Sequence, residues 1–583
     1  MRAMIWLLCV GWLGWESTAV AADAPPRADR PNVIMILTDD QGYGDLGVHG
    51  NTVVRTPHLD RLAGESVALD RFHVCPVCAP TRTSLLTGRY HLRTGAIDTY
   101  LGRALIDPDE VTLAEVLRGA GYRTGLFGKW HLGDDFPRRP IDQGFEQAVW
   151  HRGGGIGQAA DPPGNSYFNP VLHENGGDRK YEGYCSDIFT TAAIGFVEQH
   201  RREPFFAYLA FNCPHTPLEV ADELVEPYRQ ADFPAVEARN AQGARRLTPD
   251  RETTARIYAM VSNIDDNVGR LLKRLDELQL AENTIVVFLT DNGPQQPRYN
   301  AGLRDLKGTV FDGGIRVPCY LRWTGHWDAG RRIDYPAAHI DLLPTLLAAC
   351  GVAPPQVALD GQNLLGLLAG EAASGPERIL FFQWHRGDVP ERGRACAVRD
   401  ARYKLVQPFG QQEKYAADEA RWMLFDLSDD PGETNDRAAE LPAEVARLRQ
   451  AYEAWFADVT STRGFAPQRI FLGAPEQPQV TLTRQDWRGP AAGWTPRSVG
   501  HWEVQVVRAG DYRITVRLAP LADISELKLS IQDRQFTAQV PATSESIVFE
   551  RVALAPGAGR LEAAIAHPQG VAGATYVDVE PAN

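Results

Sequence analysis

The chain has 583 residues, 44% of them hydrophobic and 23% charged, with a formal net charge of −14. That length supports more than one domain and a large buried core, and excludes a single small module. The acidic balance argues against a nucleic-acid binder and against generic attraction to polyanions, so an anionic substrate has to be drawn in by a local site.

Residues 1–22 carry Arg2, an apolar Trp/Leu/Val-rich run and a small-residue cleavage site at Ala19-Val20-Ala21 or Val20-Ala21-Ala22. They read as a secretory signal, which makes the mature protein exported, periplasmic or extracellular. No later stretch has the uninterrupted apolar length of a membrane span. Seven cysteines remain after the signal: Cys75, Cys78, Cys185, Cys213, Cys319, Cys350 and Cys396. An odd number is awkward in an oxidising compartment, and chemical conversion of one would remove the surplus thiol.

Asn32-Val33-Ile34-Met35-Ile36-Leu37-Thr38 is apolar without alternation, as expected for a parallel strand covered on both faces. It ends in Asp39-Asp40, two carboxylates that repel unless a cation or hydrogen-bond donors separate them. An apolar-periodic helix is expected over 58–66. Then comes Val77-Cys78-Ala79-Pro80-Thr81-Arg82, which places Cys78 just ahead of a proline-started helix, at the positive end of its dipole. Arg82, one turn on, can face the same point. Cys75-x-x-Cys78 also admits a redox or metal-binding reading, although no second such pair exists.

After a helix over 112–118, a strand over 122–127 leads into Gly128-Lys129-Trp130-His131. In an extended segment Lys129 and His131 share a face. Residues 150–183, rich in Gly, Pro, Asn and His, read as loops forming a binding wall. A helix over 186–200 and a buried strand over 205–211 deliver Asn212-Cys213-Pro214-His215. A helix over 257–278 and a strand over 284–290 deliver Asp291-Asn292-Gly293, repeating the placement of Asp39 and Asp40. Lys307 precedes a fifth strand.

This alternation implies an α/β domain over 23–370, with a doubly wound, mostly parallel sheet and helices on both faces. Short strands and a helix over 371–465 make a small α+β subdomain. Alternating runs and hairpin signals over 470–583 suggest an added β-sandwich. Its Trp487, Trp494, Trp502 and Tyr512 could stack on sugar rings or fill its own core. An open parallel sheet gathers its strand ends at one rim, so Asp39/Asp40, Cys78/Arg82, Lys129/His131, His215 and Asp291/Asn292 are expected together, with Lys307 joining from a following loop.

Cys78-x-Pro80-x-Arg82 with Leu85-Leu86-Thr87-Gly88-Arg89 resembles the signature of the type I sulfatases, arylsulfatase-like members of the alkaline phosphatase superfamily. The resemblance covers about residues 31–460 and extends to Asp39-Asp40-Gln41-Gly42-Tyr43-Gly44, Gly128-Lys129-Trp130-His131, Pro214-His215-Thr216-Pro217, Asp291-Asn292-Gly293, Lys307-Gly308-Thr309 and Phe425-Asp426-Leu427-x-x-Asp430-Pro431-Gly432-Glu433. It implies hydrolysis of sulfate esters, and that a separate maturation enzyme oxidises Cys78 to Cα-formylglycine. It further implies that Asp39, Asp40, Asp291, Asn292 and the oxidised Cys78 bind one Ca²⁺, a hard-oxygen set with no zinc-like cluster.

By the same resemblance, one hydroxyl of the aldehyde hydrate attacks sulfur to give a covalent sulfo-enzyme, and the other expels sulfate. Arg82, Lys129, Lys307 and the metal stabilise charge, His215 is the acid for the leaving oxygen, and His131 is the base. The expected substrate is a sulfated small molecule or glycan. His151 and Arg152, and Trp384, His385 and Arg386, are pocket candidates. A phosphomonoesterase or phosphodiesterase of the same superfamily and a non-catalytic glycan-binding protein are the alternatives.

Overall fold

The computed structural model describes residues 30–583 apart from 234–235, 241–242, 248, 412–420, 520–522, 568–569 and 583. The signal expected over residues 1–22 therefore lies outside the described residues. Ten strands form one mixed sheet, in the spatial order Arg332–Ala338, Val67–His73, Cys319–Arg322, Thr284–Thr290, Asn32–Thr38, Phe205–Ala210, Arg123–Lys129, Gln147–His151, Val171–Glu174 and Gly177–Lys180. The five strands from Thr284–Thr290 to Gln147–His151 are parallel, while Cys319–Arg322 and the last two strands run antiparallel to their neighbours.

The apolar runs form central strands because both faces are covered. Along Asn32–Thr38 every residue is buried. Val33, Met35 and Leu37 enter one core and Ile34 and Ile36 the other, as the period-two geometry of a strand dictates. The second core also takes the apolar faces of the helices Cys185–Gln199 and Arg251–Glu277.

Residues 380–426 supply a four-stranded antiparallel sheet, Leu380–Gln383, Cys396–Arg399, Tyr403–Gln407 and Met423–Asp426, packed by the helix Pro442–Ser461. It is bolted to the main domain, at the short helix Asp312–Ile315, by a buried ionic network. Lys404 Nζ binds Asp312 Oδ1 at 2.6 Å and Glu433 Oε1 at 2.8 Å, and Glu433 Oε2 accepts from the Asp312 N–H at 2.7 Å. Further on, two sheets enclose one apolar core. The first holds Ile470–Leu472, His501–Val506, Gly557–His567, Ser525–Ile531 and Arg534–Val540; the second holds Val480–Thr483, Tyr576–Pro581, Gly510–Arg517 and Ser546–Leu554. Trp487, Trp502 and Tyr512 fill that core, and Trp494 alone of the four aromatics considered for sugar stacking is exposed. Among the described residues no helix is long and apolar enough to cross a membrane.

Three local expectations change. The region 150–183 contains the hairpin Val171–Glu174/Gly177–Lys180, because Asn175-Gly176 supplies the positive-φ turn. The helix Cys78–Thr87 begins at Cys78 itself, with Pro80 as its third residue. The strand Arg123–Lys129 stops at Lys129, and His131 adopts φ 62°, so simple strand alternation does not carry Lys129 and His131 to one face.

Candidate active site

Thr38 and Thr290 are paired in register, so the turns that follow them leave the sheet at one level. The Asp291 N–H donates to the Thr38 carbonyl at 3.0 Å and the Asp40 N–H to Asp291 Oδ1 at 3.3 Å. Asp40 takes φ 61°, a conformation Asp tolerates better than most residues. Its turn is held from outside by Asp45, which accepts from the Gly42 N–H at 2.7 Å and from Arg298 Nε at 2.9 Å; Arg298 Nη2 also donates to the Asp40 carbonyl at 2.7 Å.

The loop carrying Lys307 is pulled over the same spot. The Lys307 N–H donates to the Pro294 carbonyl at 3.0 Å, and the Gly308 N–H to the Pro76 carbonyl, just before the Cys78 helix, at 2.9 Å. Gly293 permits this approach: a Cβ there would lie 1.9 Å from the Gly313 carbonyl oxygen.

Three cations face three carboxylates. Arg82 donates to Asp291 Oδ2 and to the Lys129 carbonyl, Lys129 Nζ binds Asp39 Oδ2, and Lys307 Nζ binds Asp40 Oδ1. Asn292 Nδ2 donates to Asp40 Oδ1 at 2.8 Å. Asp39, Asp40, Cys78, Arg82, Lys129, Asp291 and Asn292 are all buried. Burial alone would push the Asp39 carboxyl up, but Lys129, His215, Arg82 and Lys307 hold it well below the usual range. Burial and the charge of Asp39 push Asp291 up to about 7. Burial also raises the Cys78 thiol, so in its unmodified form it is no ready thiolate.

Even after these pairings, Asp39 Oδ1, Asp40 Oδ2 and Asn292 Oδ1 are buried without a hydrogen-bond partner. Leaving such atoms bare costs about 1–3 kcal/mol each. Ligand atoms of Asp39, Cys78 and Asp291 lie within 4.8 Å of one another, as do those of Asp39, Asp40 and His215. Each group has two carboxylates and a single thiol or imidazole, a donor set that suits a hard divalent cation better than a thiolate-imidazole zinc site.

Burial lowers the basicity of the histidines around this pocket. His215 Nδ1 donates to the Thr216 carbonyl at 2.7 Å, which leaves Nε2 facing Asp40 Oδ2 at 3.8 Å; burial lowers its basicity. His131 Nε2 donates to the Thr99 carbonyl at 2.7 Å, and its buried Nδ1 has no partner. Burial, then Lys129, holds His131 well below the usual imidazole range. His151, opposite Lys129 on the adjacent strand, is pushed by burial down to about 3 and also keeps a bare buried nitrogen, Nε2.

The remaining pocket candidates divide. Arg152 is half-buried and reaches Asp178 at 3.5 Å. Trp384 Nε1 and Arg386 Nη1 both donate to the buried Asp98, at 3.1 and 2.5 Å. His385 spends both ring nitrogens on backbone, at Arg386 O and Glu391 N, leaving neither for a ligand. Cys75 lies against His91 and His339, at 3.4 and 3.3 Å, whereas Cys78 groups with Asp39 and Asp291; both thiols are free. Asp98, Thr99, Asp45 and Arg298 carry no local motif, and sequence reading passes over them.

The Sulfatase family model matches residues 31–352. The chain belongs to the sulfatase family. A second model, N-sulphoglucosamine sulphohydrolase, C-terminal, matches residues 302–451 of this sulfatase. Arylsulfatase A of Bos taurus is 32% identical over 523 residues, covering 80% of this chain and 95% of the relative. N-acetylgalactosamine-6-sulfatase of Homo sapiens is 33% identical over 400 residues, 62% of this chain and 69% of its own. The solved structure of Ps i-CgsB in complex with k-i-k-neocarrahexaose is 28% identical, with a TM-score of 0.62 over 73% of this chain and 92% of its own. The sulfatase is thus a hydrolase of sulfate esters in the alkaline phosphatase superfamily. Both family models end before the C-terminal pair of sheets.

Proposed function

We propose that this sulfatase is an exported enzyme that removes sulfate from carbohydrates, using one Ca²⁺ and a formylglycine made from Cys78. The observation that carries this is that ligand atoms of Asp39 and Asp291 lie within 4.8 Å of Cys78 at a helix start, while Asp39 Oδ1, Asp40 Oδ2 and Asn292 Oδ1 remain buried and without partners. When present, the metal supplies Lewis acidity and the hydrated aldehyde a nucleophile with a second hydroxyl. Carbohydrate specificity is supported by relatives named for N-acetylgalactosamine-6-sulfate and by the neighbour solved with neocarrahexaose.

The chain's own residues then have distinct tasks. Asp39, Asp40, Asp291 and Asn292 hold the cation. Three carboxylates are balanced by Arg82, Lys129 and Lys307, so a bound divalent ion leaves the pocket net positive and suited to a sulfate monoanion. Lys129 and Lys307 bind the sulfuryl oxygens. His215, whose Nδ1–H is tied to the Thr216 carbonyl, takes up a proton at Nε2 and in that imidazolium form passes it to the leaving oxygen, and His131 accepts one at Nδ1. Since Cys78 is buried, the maturation enzyme has to act on the chain before it folds.

Mass spectrometry of the peptide bearing Cys78, together with sulfate release from a panel of sulfated mono- and oligosaccharides, tests this reading. An unmodified thiol in fully active protein overturns it. His215→Ala should slow substrates with alkoxide leaving groups far more than an activated nitrophenyl sulfate; equal losses would remove His215 from the acid role.

A further inference from the structure

The loop Thr99–Gly102 belongs to the main domain but is anchored in the C-terminal sandwich. Leu101 inserts into the sandwich core, and the Tyr100 and Trp494 rings pack in a T-shape with their centroids 5.6 Å apart. The buried Gln485, in the 3₁₀ turn Arg484–Asp486, grips the loop at both ends. Its Nε2 donates to the Thr99 carbonyl at 2.9 Å, and its own carbonyl accepts from the Gly102 N–H at 2.9 Å. The Thr99 carbonyl therefore has two lone pairs and two donors, Gln485 from one domain and His131 Nε2 from the other.

That second hydrogen bond fixes the imidazole tautomer. With Nε2 protonated and tied to Thr99, the lone pair of His131 must lie on Nδ1, the buried atom without a partner. We propose that the C-terminal sandwich completes the active site, and that Gln485 is a positioning residue which holds His131 in its proton-accepting orientation through the Thr99 carbonyl. The proposal rests on the base role given to His131 above. Lys129, Arg82 and Asp39 are the charged groups that act on this ring, and Gln485 contributes none, so its effect is one of placement.

The test compares Gln485→Leu and Gln485→Glu with the parent in the full-length, matured enzyme. Both variants should lose kcat about tenfold or more, the scale of a small misplacement at the reacting centre. KM for a small aryl sulfate should stay within about twofold, since no ground-state contact is removed. The acid limb of kcat/KM should move to higher pH as a loosened His131 meets water. In ¹⁵N-histidine-labelled protein with Cys78 unmodified, the His131 ring should lose its fixed Nε2–H signature.

Gln477→Ala cuts a different contact of the sandwich, to Asp135 Oδ1 and the Phe136 N–H, and should leave every readout at the parent value. If Gln485→Leu does not fold, Gln485→Glu retains its shape and its backbone contact, reverses donor to acceptor, and carries the same readouts. An unmoved acid limb with an unchanged His131 signal overturns the proposal, as do equal losses in Gln477→Ala. If His131→Ala itself keeps the parent kcat, the base reading is what has failed, and the role of Gln485 falls with it.

Discussion

Arg82 donates from Nε at 3.2 Å and from Nη2 at 2.8 Å to a single oxygen of Asp291, 209 residues further along the chain, with neither side chain exposed. Its Nη1 takes the Lys129 carbonyl at 2.9 Å. One planar fork thus joins a helix tip, a strand end and an acidic turn. A lysine cannot reproduce that geometry. Arg82→Lys should fold with reduced stability and lose at least about a hundredfold in kcat, the cost of misplacing the reacting groups. Arg82→Met leaves Asp291 buried without its main partner and should cost roughly 3–5 kcal/mol in denaturant unfolding.

The lysine pairs bear on metal removal. Lys129 and Lys307 already neutralise Asp39 and Asp40, so the cation-free protein should remain folded. A chelator should abolish activity and lower the thermal midpoint, and Ca²⁺ should restore both, since an ion bound only by the folded state stabilises it by mass action. In Asn292→Leu, which deletes one bare oxygen, the Ca²⁺-induced rise in midpoint should shrink or vanish in thermal scans.

A single missing methyl group protects His131. A Cβ on Gly154 would lie 2.9 Å from His131 Cε1 and 3.0 Å from Nε2. The ring cannot yield without breaking its bond to Thr99. Gly154→Ala should therefore leave the unfolding midpoint near the parent value and reduce kcat by about ten- to a hundredfold, an effect of position and not of folding. Steady-state kinetics beside a thermal melt would separate the two.

Acid sensitivity should come from buried histidines outside the reaction centre as well as from His131 and His151 within it. Burial holds His73, His91 and His339 each down to about 3. His73 Nε2 accepts from Arg399 Nη1 at 2.6 Å and has no room for a second proton. Between about 6.5 and 3 the unfolded chain binds protons that the folded one refuses, so stability falls as pH falls and is insensitive to these groups above that window. Each contributes roughly 1.4 kcal/mol per pH unit at full effect. Urea midpoints measured from pH 7.5 down to 4.5 should decline, and His91→Gln should flatten the slope.

The convergence of Asp39, Asp40, Asp291, Asn292 and His215 was legible because continuous apolar runs specify parallel buried strands, whose ends share an edge. Their exact level was not; it depends on the pairing of Thr38 with Thr290. His131 lies in the pocket with Lys129 as expected, but strand alternation is not what puts it there, since its φ of 62° breaks the extended geometry two residues past Lys129. Asp98 and Gln485 were out of reach for a different reason. They matter through contacts with Arg386 and Thr99, 288 and 386 residues away in the chain, and no local spacing encodes those meetings. The motif ending in Glu433 shows the intermediate case: its residues stand out, but that Glu433 anchors Asp312 and so the loop of Lys307 appears only in three dimensions.

The strand Val480–Thr483, which leads directly into the turn holding Gln485, is hydrogen-bonded to Tyr576–Pro581. A nascent polypeptide interrupted before that closing strand already contains Asp39, Asp40 and Asp291, yet lacks the strand that pairs with the one leading into Gln485, and so the proposed backing of His131. Translation to the far end of the sandwich would then serve as a built-in checkpoint, keeping incomplete molecules silent even when their oldest segments have matured.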